Sequence, residues 1–100
     1  MKQKQHLNIL GLAYRARKCS IGEDVIVKDI QHKRAKLVLL ASDTGPHTRK
    51  KMMNKCKTYE IPIVILNDSR SELAHAIGKS QRVAVAILDQ GFATKIQSLL

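Results

Sequence analysis

Ser20, Gly22, Glu23 and Lys28 are residues whose types and spacing could do chemistry in this 100-residue chain. Ser20 and Glu23 stand three apart, the spacing of a capping box, in which each side chain satisfies a free backbone N–H at a helix start. Gly22 lies between them, where the backbone can approach a ligand with no side chain in the way. Arg15, Arg17 and Lys18 precede the junction, and Lys28 falls one turn inside the helix it opens. A helix N-terminus with unpaired N–H groups and flanking cations suits a phosphate-bearing partner.

Asp43-Thr44-Gly45 raises a different chemistry, since it is the triplet of aspartic proteases, whose two subunits share a proton between paired carboxylates. Ile77-Gly78-Lys79 even falls roughly where such enzymes carry a second glycine motif. That fold is nearly all β, however, whereas Thr48 to Tyr59 is a charged segment of helical period, and Pro46 and His47 favour a helix start. His6, His32, His47 and His75 are scattered, without a Cys or carboxylate at ligand spacing, and read as surface residues. Cys19 and Cys56 show no CxxC spacing and read as buried or idle thiols. No P-loop, GxGxxG or GxSxG is present. The expectation is a non-enzymatic chain with no metal and no cofactor.

Charge narrows the partner. The formal net charge is +10 and the pI is near 10.0. Residues 1–57 hold 14 of the 18 Lys and Arg but only four acids, whereas residues 58–100 hold four of each and are neutral. Basic surface of this kind raises affinity for polyanions through counterion release, against the plainer reading of a solubilising surface. RNA is the expected partner. With Tyr14, Tyr59 and Phe92 the only aromatics, base-stacking platforms are disfavoured, and recognition is expected at a helix end and a groove.

The elements that must position this junction follow from apolar period. Lys4 to Ala16 reads as a helix with Leu7, Leu10, Ala13 and Tyr14 inward, ending in cations that suit the helix dipole. A short strand is possible around Lys18 to Ser20, then a helix from about Ile21 to His32 with Val25, Ile26 and Ile30 as its buried stripe. Leu37 to Ala41 is a continuous apolar run, as in a strand covered on both faces. Asp43 or Thr44 is expected to cap a helix from Pro46 to Tyr59, with Met52, Met53 and Cys56 inward. Its cations Arg49, Lys50 and Lys51 read first as a solvated face, with diffuse attraction to a polyanion as the lesser role. Ile61 to Leu66 is a second buried strand, Asn67 to Ser69 cap a helix over 70–77 closed by Gly78, and Lys79 to Arg82 form a polar loop. Val83 to Leu88 is the third clear strand, and Asp89 caps a last helix to Leu100 that packs through Phe92, Ile96, Leu99 and Leu100. This order predicts a single domain over 1–100, an α/β fold built as a three-layer α/β/α sandwich on a small, mixed and largely parallel sheet. No long apolar run reads as a membrane span, and the charged N-terminus lacks the apolar stretch of a secretory signal, so a cytoplasmic location is expected.

Across nearly its whole length the chain resembles the kink-turn-binding ribosomal protein superfamily, that of the large-subunit proteins seven-Ae and thirty-e and their small bacterial members. Leu10 to Lys18, Gly22 to Lys28, Ala35 to Asp43, Ile77-Gly78 and Ala84 to Phe92 carry the resemblance through their order and spacing. It implies an α/β/α sandwich that grips the sharply bent kink-turn of structured RNA, with ribosomal RNA, the ribosome and a monomeric state as associated expectations. The family pattern Gly-x-Asn-Glu-x-x-Lys falls on Gly22 to Lys28, so Gly22 is expected to admit the RNA backbone and Lys28 to donate to a guanine edge. Asp24 stands at the Asn position, keeping an acceptor without amide donors, and Val25 stands at the Glu position with no polar atom. The second RNA-facing element implied is the loop before the last strand, here Lys79 to Arg82 leading into Val83, where cations replace apolar residues and point to phosphate contact. Arg15, Lys18, Gly22, Glu23, Asp24 and Lys28 are thus the expected first RNA face, and Lys79, Arg82 and Val83 the second. A Val at position 22 is expected to block close approach while leaving the fold largely intact. The alternative is a protein-interaction module on the same fold, with Asp68 and Glu72 in its surface and only non-specific RNA affinity.

Overall fold

The computed structural model describes residues 4–100, and Met1–Gln3, the beginning of the charged N-terminus, lie outside the described residues. In chain order the elements are α1 (Gln5–Arg15), β1 (Cys19–Ile21), α2 (Glu23–Gln31), β2 (Leu37–Leu40), α3 (Pro46–Tyr59), β3 (Ile63–Ile65), α4 (Arg70–Ala76), β4 (Ala84–Ile87) and α5 (Gln90–Ser98). The strands lie in the order β1-β4-β2-β3. Because successive strand side chains point to opposite faces, β2 feeds two cores. Leu37 and Leu39, with Val85 and Ile87 of β4, meet Leu10, Leu73 and Ile96 of α1, α4 and α5. Val38 and Leu40, with Ala84 and Ala86, meet Ile26, Ile30, Met52 and Cys56 of α2 and α3. The result is the expected α/β/α sandwich.

The sheet is mixed but not largely parallel. β2 and β3 are parallel, while β4 runs antiparallel to both β1 and β2. The cause lies in the connection after α4. That helix has seven residues and rises only about 10 Å, so the loop after it can carry the chain back to the end where α4 began. β4 therefore enters the sheet from the same end that β2 and β3 leave.

Several local expectations give way to this pairing. Ser20 does not cap α2; β1 extends to Ile21, and Ser20 pairs with Ala86 inside the sheet, its Oγ buried without a hydrogen-bond partner. Gly22 takes the N-cap position at φ 91°, with no side-chain cap. Neither Asp43 nor Thr44 caps α3, whose N-cap is Gly45 with Pro46 at the first turn. The Asp43 carboxylate instead accepts the backbone N–H of Arg70 at 2.8 Å and so serves α4. The capping box present is Ser69–Glu72 at the start of α4, and Asp89 accepts the Phe92 N–H at 3.0 Å as expected for α5. Val25, Met53 and Leu100, expected inward, are 51%, 43% and 52% exposed; the first two fall just off the stripe their helices bury, and Leu100 lies beyond the end of α5. The Cys19 thiol is half-buried and Cys56 buried, and burial pushes their pKa values up to about 12 and about 11, so both remain protonated thiols at neutral pH.

The buried Asp68 ties the beginning of α1 to the start of α4, with Lys4 Nζ at 2.8 Å and His6 Nε2 at 2.6 Å. Burial alone would raise this carboxyl, but the hydrogen bonds from Lys4 and His6 outweigh it and hold the carboxyl below its ordinary value. A depressed carboxyl stabilises the fold above its unfolded pKa, and that contribution disappears as pH falls through the folded value. Stability should therefore decline as pH drops below about 4, less steeply in Asp68→Asn, as urea midpoints across pH would show. The two Ser-x-x-Glu sequences give a second test. Ser69→Ala should cost about 1 kcal/mol in urea denaturation through loss of its cap. Ser20→Ala should cost nothing, because its hydroxyl satisfies no N–H.

Candidate nucleic-acid interface

The registers bring four connections to one end of the sheet. Ile21 pairs with Val85, and Leu40 pairs with both Ala84 and Ile65, so the last residues of β1, β2 and β3 lie beside the first of β4. Gly22, residues 41–45, residues 66–69 and the loop reaching Val83 consequently share this end. The last three are bonded to one another: Ala41 N–H donates to Val83 O at 2.8 Å, and Thr44 Oγ1 donates to Ala41 O at 2.6 Å. Ser42 N–H donates to Asp68 O at 2.8 Å, and the Arg70 guanidinium donates to Asp43 O at 2.6 Å.

Of the residues expected in the site, this end gathers Gly22, Glu23, Asp24, Arg82 and Val83. Arg82 is half-buried and donates to the carbonyls of Ser80 and Gln81 at 3.2 and 3.4 Å, which stiffens its own loop. Val83 packs its side chain toward the α2–α3 core. Glu23 is committed to Lys51 of α3 at 3.3 Å. Asp24 and Lys28 are exposed, one turn apart along α2, on adjacent positions of one helical face. Lys79, Arg15 and Lys18 lie elsewhere. The Lys79 ammonium sits 5.9 Å from the centroid of the Tyr14 ring on α1. Arg15 ends α1 and lines a groove of about 750 Å³ between α1 and α4. Lys18 stands at the opposite end of β1, where its carbonyl accepts the Leu88 N–H at 2.7 Å, about 13 Å of extended chain from Gly22.

The electrostatics of this end are shaped by pairing. Glu23, Asp43, Asp68 and Glu72 each sit in an ion pair, with Lys51, Arg70, Lys4 and His6 as partners. Asp24 lies outside any ion pair among the described residues, as do Lys28, Arg82 and Lys79. The two helices starting here on the α2–α3 side have no side-chain cap, so their first N–H groups are left for solvent or a ligand. α4, which begins at the same end, is closed by Ser69 and Asp43. The sequence missed two contributors: the 41–45 turn, which braces Val83 through Thr44, and the uncapped N-terminus of α3. The Gly45-Pro46 pair marks the latter, because Pro at N1 needs no donor and Gly brings no capping oxygen. Among the described residues, no group of His, Cys, Asp and Glu could hold a metal ion, and no helix is long and apolar enough to cross a membrane.

The chain belongs to the Ribosomal protein L7Ae/L30e/S12e/Gadd45 family, matched over residues 4–97. It is 51% identical over 92 residues to the RNA-binding protein YlxQ of Bacillus subtilis (strain 168), covering 92% of this chain and 91% of that one. It is 38% identical over 98 residues to the RNA-binding protein YlxQ of Enterococcus faecium, covering 98% and 93%. Among solved structures, a Bacillus halodurans protein of unknown function superposes with a TM-score of 0.92 at 42% identity, covering 97% of each chain. The Giardia lamblia 15.5kD RNA binding protein shares the fold, with a TM-score of 0.79 at 18% identity over 100% of this chain and 94% of that one.

Gly22 corrects one expectation. A Cβ there would have room, its nearest neighbour being Val25 Cγ2 at 4.0 Å, but the φ of 91° is one that L side chains rarely adopt. A Val at this position would strain the fold as well as the approach to a ligand. Gly22→Ala should lower stability by about 1–3 kcal/mol, read from urea midpoints at constant m.

Proposed function

We propose that this chain binds structured RNA containing a kink-turn, using the sheet end built by Gly22, Asp24, Arg82 and Val83 together with Lys28, one turn further along α2. The observation that carries this reading is the placement of two uncapped helix N-termini beside the 82–83 connection, on a surface where Glu23 and Asp43 are already ion-paired. The names of the YlxQ relatives support RNA as the partner. Gly22 and the N–H groups of α2 meet the backbone at the bend, and Lys28 donates to a guanine edge, where O6 and N7 accept. Asp24, the unpaired carboxylate of this end, accepts a base amino group. Val25 presents apolar surface where the family pattern has a polar residue. Arg82 holds the second loop in shape more than it reaches out, so phosphate contact there falls to backbone groups and solvent-facing cations. Arg15, Lys18 and Lys79 serve RNA that extends beyond the bend. In this reading the chain is a single, monomeric, cytoplasmic domain without enzymatic activity, associated with ribosomal RNA.

Gel-shift titration against a kink-turn RNA, and against the same RNA with its tandem G·A pairs replaced, tests the assignment at low and near-physiological salt. Binding that requires the G·A pairs and survives the higher salt is expected. Lys28→Ala should weaken kink-turn binding by about ten-fold or more and duplex binding much less, because a base contact is lost. Equal, salt-sensitive binding to both RNAs would show charge alone at work and favour the protein-interaction alternative.

A further inference from the structure

Beyond the bend itself, we infer that the outer face of α3 is a track for the phosphate backbone of an RNA stem leaving the kink. This rests on the kink-turn reading and extends it to the part of the RNA that the Gly22 end does not reach. Residues 44–59 carry Arg49, Lys50, Lys51, Lys55 and Lys57 and no carboxylate. Among the described residues one ion pair involves α3, Glu23–Lys51, which fastens α3 to the first turn of α2. Met52 and Cys56 are the buried side of the helix, which leaves Lys50, Asn54 and Lys57 exposed at i, i+4 and i+7 on the opposite side. Lys50 and Lys57 are separated by two turns, about 10 Å along the axis, so both can meet one backbone strand.

Position makes this more than a solvated surface. α3 leaves the sheet end that holds Gly22 and Val83, since Gly45 follows directly on the turn hydrogen-bonded to Val83. Its fourteen residues extend about 21 Å away from that end. A stem anchored at the bend therefore meets a cationic, carboxylate-free helix along its length. The complementary partner is a polyanion with regularly repeated charge, and phosphates of an A-form stem supply it without base readout.

The test uses K50Q/K57Q in the full chain, whose two substitutions are exposed and whose melting should match the parent. Three RNAs are compared: a kink-turn with both stems extended by a helical turn, the same kink-turn trimmed to short stems, and the extended RNA with its G·A pairs replaced. On the extended kink-turn the variant should lose about ten-fold in affinity near physiological salt, and its salt slope should fall by about 2. On the trimmed RNA it should bind as the parent does. Unchanged affinity and slope on the extended RNA would overturn the assignment, as would equal loss on extended and trimmed RNA, which would place Lys50 and Lys57 at the kink. If the parent ignores the G·A replacement, the kink-turn reading fails separately, and the slope difference between variant and parent on that third RNA still reports whether α3 holds a stem.

Discussion

Antiparallel insertion of β4 between β1 and β2 is the constraint on which the rest of this molecule depends. Were β4 parallel to its neighbours, its start would lie at the far end of the sheet, and the connection reaching Val83 would never meet Gly22. Because it runs the other way, Ala84 sits against Leu40 while Val85 sits against Ile21. The backbone bond from Ala41 to Val83 and the double acceptance of the Thr44 hydroxyl by Ala41 and Val83 then lock the junction. A site built this way draws its geometry from strand pairing, which is stiffer than the loops it carries.

The same pairing sorts the charges. The layer of α1, α4 and α5 encloses its acids: Asp68 is buried beneath Lys4 and His6, Glu72 completes its capping box and pairs with Lys4, and Asp89 caps α5. The α2–α3 layer carries Glu23, Asp24 and Asp29 against a larger set of cations, and Glu23 pairs with Lys51 and Asp29 with Arg34. The positive excess of the first half of the sequence thus becomes a property of one side and one end of the fold, where a polyanion gains most from it. Gly11 shows how tightly the other layer is closed: a Cβ there would stand 2.8 Å from the Ala76 carbonyl, so α1 approaches α4 through a residue without a side chain.

What the sequence revealed, and what it concealed, divides along the local and the non-local. Pro46 to Tyr59 was legible to the residue, because a proline start and a helical period are written within the segment. The alternation of apolar runs with helices gave the sandwich. Ser20-Ile-Gly-Glu23 and Ser69-Arg-Ser-Glu72 show where local reading ends. Both spell a capping box, yet only the second forms one, because Ser20 is drawn into a strand by Ala86, a residue far along the chain. Asp43 is the same case reversed: placed by sequence at the start of α3, it caps α4, 27 positions away. Strand order was hidden for the same reason, since the seven-residue return after α4 carries no mark of the direction in which it delivers β4. Among the candidate site residues, those joined by the Gly22–Lys28 spacing stayed together, while Lys79 was taken by Tyr14 and Lys18 was placed at the other end of a strand whose existence is clearer from sequence than its bounds.

Asp24 is where these threads meet. An exposed carboxylate at the positive end of a helix normally serves that helix, through the dipole and its free N–H groups. Asp24 does sit in the first turn of α2, but it accepts no hydrogen bond from that turn and forms no ion pair among the described residues, although Lys28 is one turn away. A lone carboxylate would repel a phosphate, and it stands beside N–H groups and cations that attract one. The two tendencies are reconciled if phosphates and bases approach from different directions: backbone to Gly22 and the helix start, and an amino group to Asp24. On the proposed reading, a carboxylate that accepts from amino groups and repels phosphates gives a junction that charge alone would leave indiscriminate a preferred orientation for its ligand.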